Sequence, residues 1–593
     1  MKKYKNNDKA AKNSNKKMKV LKAGFFWLLS LLCAAILLYI FKTAPMIPAK
    51  WSLYLLGILV IILSITGFFS YRKPKTNFLK YNFVMKIVNV IFIVIFSITS
   101  ILLPYYEARV TSIVNNNNVI TNKVKINFYT LKNSYKNQHT EIFGASDNLQ
   151  EADSNLSESD FVDQYKSSVF ITSFNSDLTH QQETVTDLDT ILGQSANLTD
   201  RNSVYEAADA LYSNEGQLLI LNESLSSVLT DSENYSDFLD NTKVVFSIYV
   251  DTDAVKAEIN DVSLTTEPFS VFFGGNDEEG DLSLTGRTDV DMVVTVNPTS
   301  HQIVITSFPR DSYVGNPALN NQPDKLTHLG MSGIDNTLTG LSNILKTPID
   351  NYILINFSTY REIINALGGV DVINPYTFEA DDGETFQEGT IHLAGDSALM
   401  YVRERHHLPD GDFGRNMHQQ LVMQAIIKKL SSPEVIVRFN SLLTALNGTF
   451  LTNLSSNSIY SFCQMQLEEN INWNVVTYRA MGGTGYAVCA SAPSQELSCV
   501  FPYANQVTFM ASVIDEIEAG NTVVQQDIPE GSGYYIEPIT SNEQTQDLST
   551  AQPVSTPAAS QFALETAEPT STAESTPTPS SIPTPNSTTT TQQ

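Results

Sequence analysis

Cysteine is scarce in this chain. There are four among 593 residues and no pair at metal-ligand spacing, which leaves out thiolate metal clusters and a disulfide-built scaffold. Cys33 falls in an apolar run and Cys463 is isolated, while Cys489 and Cys499 are close enough in sequence for an extracellular bond. Basic charge is also short. The 37 basic residues face 63 acidic ones, for a net charge of −26, and no Lys or Arg follows Arg479. A phosphate backbone needs a basic face, so the balance argues against nucleic acid as a partner.

Long apolar runs are present, and three of them open the chain: roughly Gly24 to Phe41, Leu53 to Ser70 and Phe83 to Leu103. Each is long enough to cross a bilayer as a helix. Three successive runs without a small-residue cleavage site predict retained anchors over 24–103 rather than a signal peptide. Nine lysines precede the first run, and Arg72, Lys73, Lys75 and Lys80 lie between the second and third. The positive-inside rule then makes 1–23 a cytoplasmic basic tail and puts everything after about Leu103 outside, as a multi-pass cell-membrane protein with a large extracellular part. Beyond Pro104 remain 21 basic and 62 acidic residues, a net of −41. The exterior part is an acidic ectodomain.

Within it, 107–240 is polar and Asn/Ser-rich and predicts a small α+β accessory domain whose partner the sequence does not name. From 243 to 518, β-rich runs (Lys243 to Val250, Phe269 to Gly274, Val290 to Val296, Ile303 to Ser307, Tyr352 to Phe357) alternate with helical patterns (Gly333 to Leu345, Ser358 to Leu367, Met417 to Leu430). That alternation predicts an α/β/α layered domain on a central mixed sheet. The Thr/Ser/Pro-rich stretch 531–593 cannot bury a core and is expected to be a disordered tail.

Six of the 11 arginines (Arg287, Arg310, Arg361, Arg403, Arg405 and Arg415) fall between Gly275 and Gln420. Three motifs carry all of them but Arg361. The first, FFGGNDEEGDLSLTGRTDVD, sets Asp277 and Asp289 on either side of an acidic loop, and two carboxylates at strand ends suit a hard divalent cation. The second, SFPRDSY, stops a strand at Pro309 and throws Arg310 out of the sheet, where a guanidinium grips phosphate oxygens. In the third, Gly389 to Gln420, Arg403 and Arg405 face one side of an extended segment, and Asp410, Asp412 and Arg415 lead into a helix start. Each motif alone also reads as a solvated loop or a surface ion pair. Taken together, four arginines aimed at one place need an anion.

These residues carry a resemblance to the LytR-CpsA-Psr family, over roughly Val271 to Leu430: GRTDVDM, SFPRDSYV, DNYILINF, the Gly368-Gly369-Val370 turn, HLAGDSALMYVRER and DFGRNMHQQ. The three apolar runs and the intervening domain resemble the capsule-type members. The resemblance implies a phosphotransferase that moves a glycopolymer, capsular or teichoic-acid-like, from a polyprenyl pyrophosphate carrier to peptidoglycan in cell-wall biogenesis with Mg2+ (or Mn2+). On this chain the family's metal ligands fall on Asp277 and Asp289, its pyrophosphate-binding residues on Arg310, Arg403, Arg405, Arg415 and Gln419. The general base would be Asp412, with Asp289 behind it. Apolar residues around Leu341, Leu345, Ile363 and Leu421 to Ile427 would line a groove for the lipid chain, or pack an ordinary core. Two other readings use the same site: a lipid-pyrophosphate-binding regulator of envelope genes, and a pyrophosphatase in which water replaces the acceptor. One departure stands out, His418 where the family commonly has arginine. At the ligand it would make phosphate affinity pH-dependent; in the core it would have no such effect.

Overall fold

The computed structural model describes residues 25–44, 49–71, 78–116, 123–143, 155–174, 180–251, 260, 262–276, 284–432, 434–446 and 449–540. The expected basic tail 1–23, Asp277, and all of the Thr/Ser/Pro-rich stretch after 540 lie outside these residues.

Three helices are long and apolar enough to cross a membrane, Phe25–Thr43, Lys50–Phe69 and Phe83–Ile113, and at most 22% of any of their apolar windows is buried by protein. Side chains that face water in a soluble helix are Ile, Leu and Phe here, which is the pattern a lipid solvent selects. Ala34, Leu37, Leu59 and Phe96 pack the three together, and the Trp27 indole donates to the Leu63 carbonyl at 2.9 Å. The third helix is longer than its apolar run predicts. It continues through Pro104 to Asn116, and its last turns dock on the domain beyond: Val110 and Ile113 enter a cluster with Ile355, Leu443, Phe450 and Tyr460.

The accessory domain is a five-stranded sheet in the order Asn197–Asp200, Val169–Thr172, Leu218–Asn222, Lys123–Leu131, Thr242–Asp251. Alternation along Leu218–Asn222 buries Leu218 and Ile220 with Phe161 and Leu188 on one face, and Leu219 and Leu221 with Tyr205 and Leu225 on the other. Helices therefore cover both sides. The strand Thr242–Asp251 corrects the boundary expected at 243. It pairs antiparallel with Lys123–Leu131 over its whole length, so it closes the accessory sheet instead of opening the next domain.

The second sheet has six strands in the order Phe450–Thr452, Asn351–Asn356, Phe269–Asn276, Val290–Asn297, Gln302–Phe308, Asn474–Arg479. Its pairing is mixed: the second and third of these are parallel, as are the last two, and the rest antiparallel. Nearly continuous apolar runs suit strands covered on both faces. Phe272, Val293, Val304 and Leu354 meet the helices Ile334–Leu345 and Ala504–Glu518, while Met292, Ile303 and Ile305 meet Met423 of the helix Asp412–Leu430. Helix, sheet and helix form the predicted three layers. Leu341 and Leu345 are fully buried in the first of these cores, so they line no groove.

The domain also runs past the expected end at 518. Val523 is buried in the same core, the Tyr535 N–H donates to the Pro502 carbonyl at 2.7 Å and the Val488 N–H to the Ile539 carbonyl at 2.8 Å. Residues 531–540 thus belong to the packed structure, not to a tail.

Candidate functional site

Parallel and antiparallel pairing brings five chain ends to one edge of the six-stranded sheet: after Asn276, before Val290, after Phe308, after Asn356 and after Arg479. Asp289 enters there, fixed by its N–H donating to the Gly275 carbonyl at 2.7 Å. The adjoining Gly286 turn is pressed against Gly330, where an added Cβ would lie 2.2 Å from the Gly286 carbonyl oxygen. Only glycine permits that approach.

Arg310 leaves the same edge as the Pro309 turn predicts. Its Nη1 lies 2.6 Å from Asp289 Oδ1 and its Nε 3.7 Å from Asp311 Oδ2. The two carboxylates outweigh burial and hold the guanidinium charged more firmly than usual. Asp311 is shared with Lys325, whose Nζ lies 3.3 Å from Oδ1.

The helix Asp412–Leu430 supplies the opposite wall. Its position is locked from beneath: the Gln420 amide donates to Ser307 Oγ and to the Tyr478 carbonyl, both at 2.7 Å, and the Asn416 amide donates to the Phe308 carbonyl at 3.1 Å. Its first turn then presents Asp412 and Arg415, paired at 2.5 Å. Burial raises the Asp412 carboxyl above the usual range; Arg415 opposes the shift, Asp311 adds to it, and Arg310 and Arg405 oppose it further. Arg310, Arg405, Arg415 and Asp412 are therefore brought together.

Arg403 and Arg405 reach the site differently from the extended segment expected. Arg403 is the last residue of the helix Gly395–Arg403, and Arg405 follows in a turn. That turn is built on Glu404, whose carboxylate accepts the N–H groups of Arg405, His407 and Asp381, each at 2.9 Å. The Arg403 guanidinium sits 4.4 Å over the Phe357 ring, a cation–π contact. Phe357 lines an apolar cavity with Phe273, Ile355, Tyr360, Met423 and Ile426. Gln419 lines it too, its amide donating to the Val402 carbonyl at 3.4 Å. The remaining two arginines of the window go elsewhere: Arg361 pairs with Asp396 on the surface and Arg287 with Asp231 of the accessory domain.

His418 faces the core. It is fully buried, stacked 4.0 Å from the Tyr401 ring, with Nδ1 3.0 Å from the Tyr401 carbonyl. Burial pushes its pKa down to about 4, so the ring is neutral and touches no ligand.

Three residues went unnoticed in the sequence. Asp291 is fully buried in the strand that begins just after Asp289, its Oδ1 accepting from the Thr288 hydroxyl at 2.5 Å; burial, with Asp289 adding, pushes its carboxyl up to about 8. Lys325 and Asp231 are partners across a domain boundary, which no local pattern reveals.

Comparison with known proteins identifies the family. The sequence model of the LytR_cpsA_psr family matches residues 235–492. The protein named polyisoprenyl-teichoic acid–peptidoglycan teichoic acid transferase TagU of Bacillus anthracis is 35% identical over 242 residues, 39% of this chain and 78% of its own length. Its namesake in Enterococcus faecalis is 35% identical over 222 residues, 37% of this chain and 72% of its own. Among solved structures, that of B. subtilis TagV is 25% identical and aligns with a TM-score of 0.37 over 44% of this chain and 100% of its own. With a curated relative matched at this identity over more than two thirds of its length, the chain belongs to the LytR-CpsA-Psr family.

Proposed function

We propose that this protein is a membrane-anchored transferase that moves a glycopolymer from a polyprenyl pyrophosphate carrier onto peptidoglycan, with the three apolar helices as anchor and the folded domains outside the cell. One observation carries the reading: the Arg403 guanidinium lies 4.4 Å over Phe357, a ring that itself lines the apolar cavity. A ligand fitting both halves is an anion on a long hydrocarbon chain.

Arg310, Arg405 and Arg415 would hold the pyrophosphate oxygens, Arg403 and Gln419 the junction with the chain, and the cavity the first prenyl units. In the reaction the acceptor hydroxyl oxygen bonds to the phosphorus that bears the glycan. The bond from that phosphorus to the bridging oxygen breaks, so polyprenyl phosphate leaves and a phosphodiester remains. Asp412 takes the hydroxyl proton, for which burial has made it a stronger base than a surface carboxylate. Charge stabilisation around the phosphorus falls to the arginines.

The residues also fit a hard divalent cation such as Mg2+ or Mn2+. The available donors are carboxylate oxygens, and Asp291 Oδ2, buried beside Asp289, has no hydrogen-bond partner among the described residues. Asp289, with Asp277 of the acidic loop, would hold the ion, which when bound neutralises phosphate charge. The test is the full chain in detergent micelles, given a polyprenyl-pyrophosphate glycan and peptidoglycan, with and without Mg2+, and linked product measured by mass. Metal-dependent linkage supports transfer. Release of polyprenyl phosphate without linkage would replace transfer by hydrolysis, and tight binding without turnover would replace it by a regulatory role.

A further inference from the structure

The accessory domain reaches into this site with one side chain. The helix Glu223–Thr230 ends at Asp231, and its Leu225, Val228 and Leu229 join Tyr313, Ala487, Leu497 and Phe501 of the second domain in one apolar cluster. That packing drives Asp231 into a pocket of cations. Its Oδ2 lies 3.1 Å from Arg287 Nη2, 3.3 Å from Lys325 Nζ and 3.6 Å from His328 Nε2. The side chains of Arg287, Lys325 and His328 are 6%, 4% and 0% exposed, so water cannot take the place of the acid. Burial alone would push the Asp231 carboxyl up; the adjoining His328 ring and the Arg287 and Lys325 charges outweigh it and hold the group well below the usual range.

From Lys325 the ion pairs continue. Its Nζ also lies 3.3 Å from Asp311 Oδ1, Asp311 Oδ2 lies 3.7 Å from Arg310 Nε, and Arg310 Nη1 lies 2.6 Å from Asp289. The family match begins at residue 235, after Asp231. The acid that completes the row is thus supplied from outside the matched region. We propose that Asp231 is a positioning residue of the pyrophosphate site: by holding Lys325, it fixes the Asp311 carboxylate that orients Arg310. This rests on the transferase reading above.

Without that anion, Lys325 keeps Asp311 alone as its partner and draws it away from Arg310 Nε, a contact already long at 3.7 Å. The accessory domain would then be a working part of the donor site and not a spacer. The guanidinium, held at one end only, would meet the pyrophosphate in more than one orientation.

The experiment is steady-state kinetics on the full chain in detergent micelles, varying the polyprenyl-pyrophosphate donor and the peptidoglycan acceptor separately. Asp231→Asn is expected to raise the donor KM about tenfold, the size of one charge-assisted contact, and to leave the acceptor KM unchanged. Asp231→Glu restores most of the donor affinity and carries the test if the asparagine variant does not fold. Glu233→Ala, which removes the acceptor of an interdomain hydrogen bond from the Tyr486 hydroxyl, serves as the interface control and keeps the wild-type donor KM. A wild-type donor KM in Asp231→Asn, or a loss of rate that only follows the folded fraction in thermal melts, overturns the proposal. If the wild type itself shows no turnover, the transferase reading falls. Binding of inorganic pyrophosphate to the same proteins then decides the Asp231 proposal by the same tenfold difference.

Discussion

Replacing Arg310 with alanine tests the site at its centre. The guanidinium is 18% exposed and lies between Asp289 at 2.6 Å and Asp311 at 3.7 Å. Two costs follow, and they are separable. A preorganised donor facing developing charge is worth roughly 10²- to 10³-fold in kcat, about 3–4 kcal/mol, when removed. The folded protein also loses a charge-assisted bond on Asp289, about 1–3 kcal/mol, while Asp311 keeps Lys325 at 3.3 Å. Arg310→Ala is therefore expected to melt a few degrees lower yet stay folded at 25 °C, and to lose at least about a hundredfold in kcat/KM for the lipid donor. Arg310→Lys should recover little of this, because an ammonium cannot hold two oxygens in the fork of a guanidinium. The assay is mass-resolved transfer per folded molecule, with the folded fraction fixed by thermal melting. If Arg310→Ala retains more than about a third of the wild-type kcat/KM where one such donor should supply two orders of magnitude, the pyrophosphate is not bound at this edge of the sheet.

Three further outcomes follow from the geometry. Asp412→Asn should cost about 10²- to 10⁴-fold in rate and abolish the acidic limb of the pH–rate profile, which in the wild type lies above the ordinary carboxylate range because burial raises that carboxyl. His418 has a folded pKa of about 4 against 6.5 for the exposed ring, so the unfolded chain binds its proton first; its contribution is complete above about 6.5 and is lost as pH falls toward 4. That amounts to about 3 kcal/mol, and His418→Gln should flatten the fall of Tm over that window while leaving donor affinity independent of pH. Val110→Asp with Ile113→Asp, placing charge where the third helix docks on Ile355 and Phe450, should cut transfer from long-chain donors more than from short-chain ones. Equal loss for both would separate the helix junction from the apolar cavity.

Local pattern made the sheet legible. Val290–Asn297 and Gln302–Phe308 are rich in Val and Ile, the residues that favour strands, and both are buried along nearly their whole length. Pro309 marks the exit of Arg310, since a proline has no N–H to give the ladder and follows the last residue of the strand Gln302–Phe308. What escaped was non-local. Nothing in Lys243 to Val250 states that its partner is Lys123–Leu131, so a strand was assigned to the wrong sheet. Arg403 and Arg405 were placed on a common side by a period of two, but the segment is a helix end and a turn, and the Glu404 carboxylate does the placing. Leu341 and Leu345 have the composition of a groove wall and the position of a core. His418 could be resolved only by its neighbours, because a histidine among aromatic rings and a histidine at a phosphate are spelled alike.

The pairing of the site's arginines also bears on the proposed function, in which a chain of net charge −26 would handle an anionic polymer. Arg310 and Arg415 already have carboxylate partners in Asp289, Asp311 and Asp412. Buried guanidiniums without counter-ions would be costly, and these are never without one. On the proposed function, a pyrophosphate would exchange with those carboxylates instead of entering an uncompensated positive pocket, and its affinity would be the difference between two sets of ion pairs. Surface acids farther than about 8–10 Å are screened at physiological salt and weigh little in that exchange. The acidity that would matter is local, carried by Asp289, Asp311 and Asp412, the carboxylates paired with Arg310 and Arg415. On the proposed function, donor binding would therefore turn on which of these carboxylates release their arginines and not on the net charge of the chain.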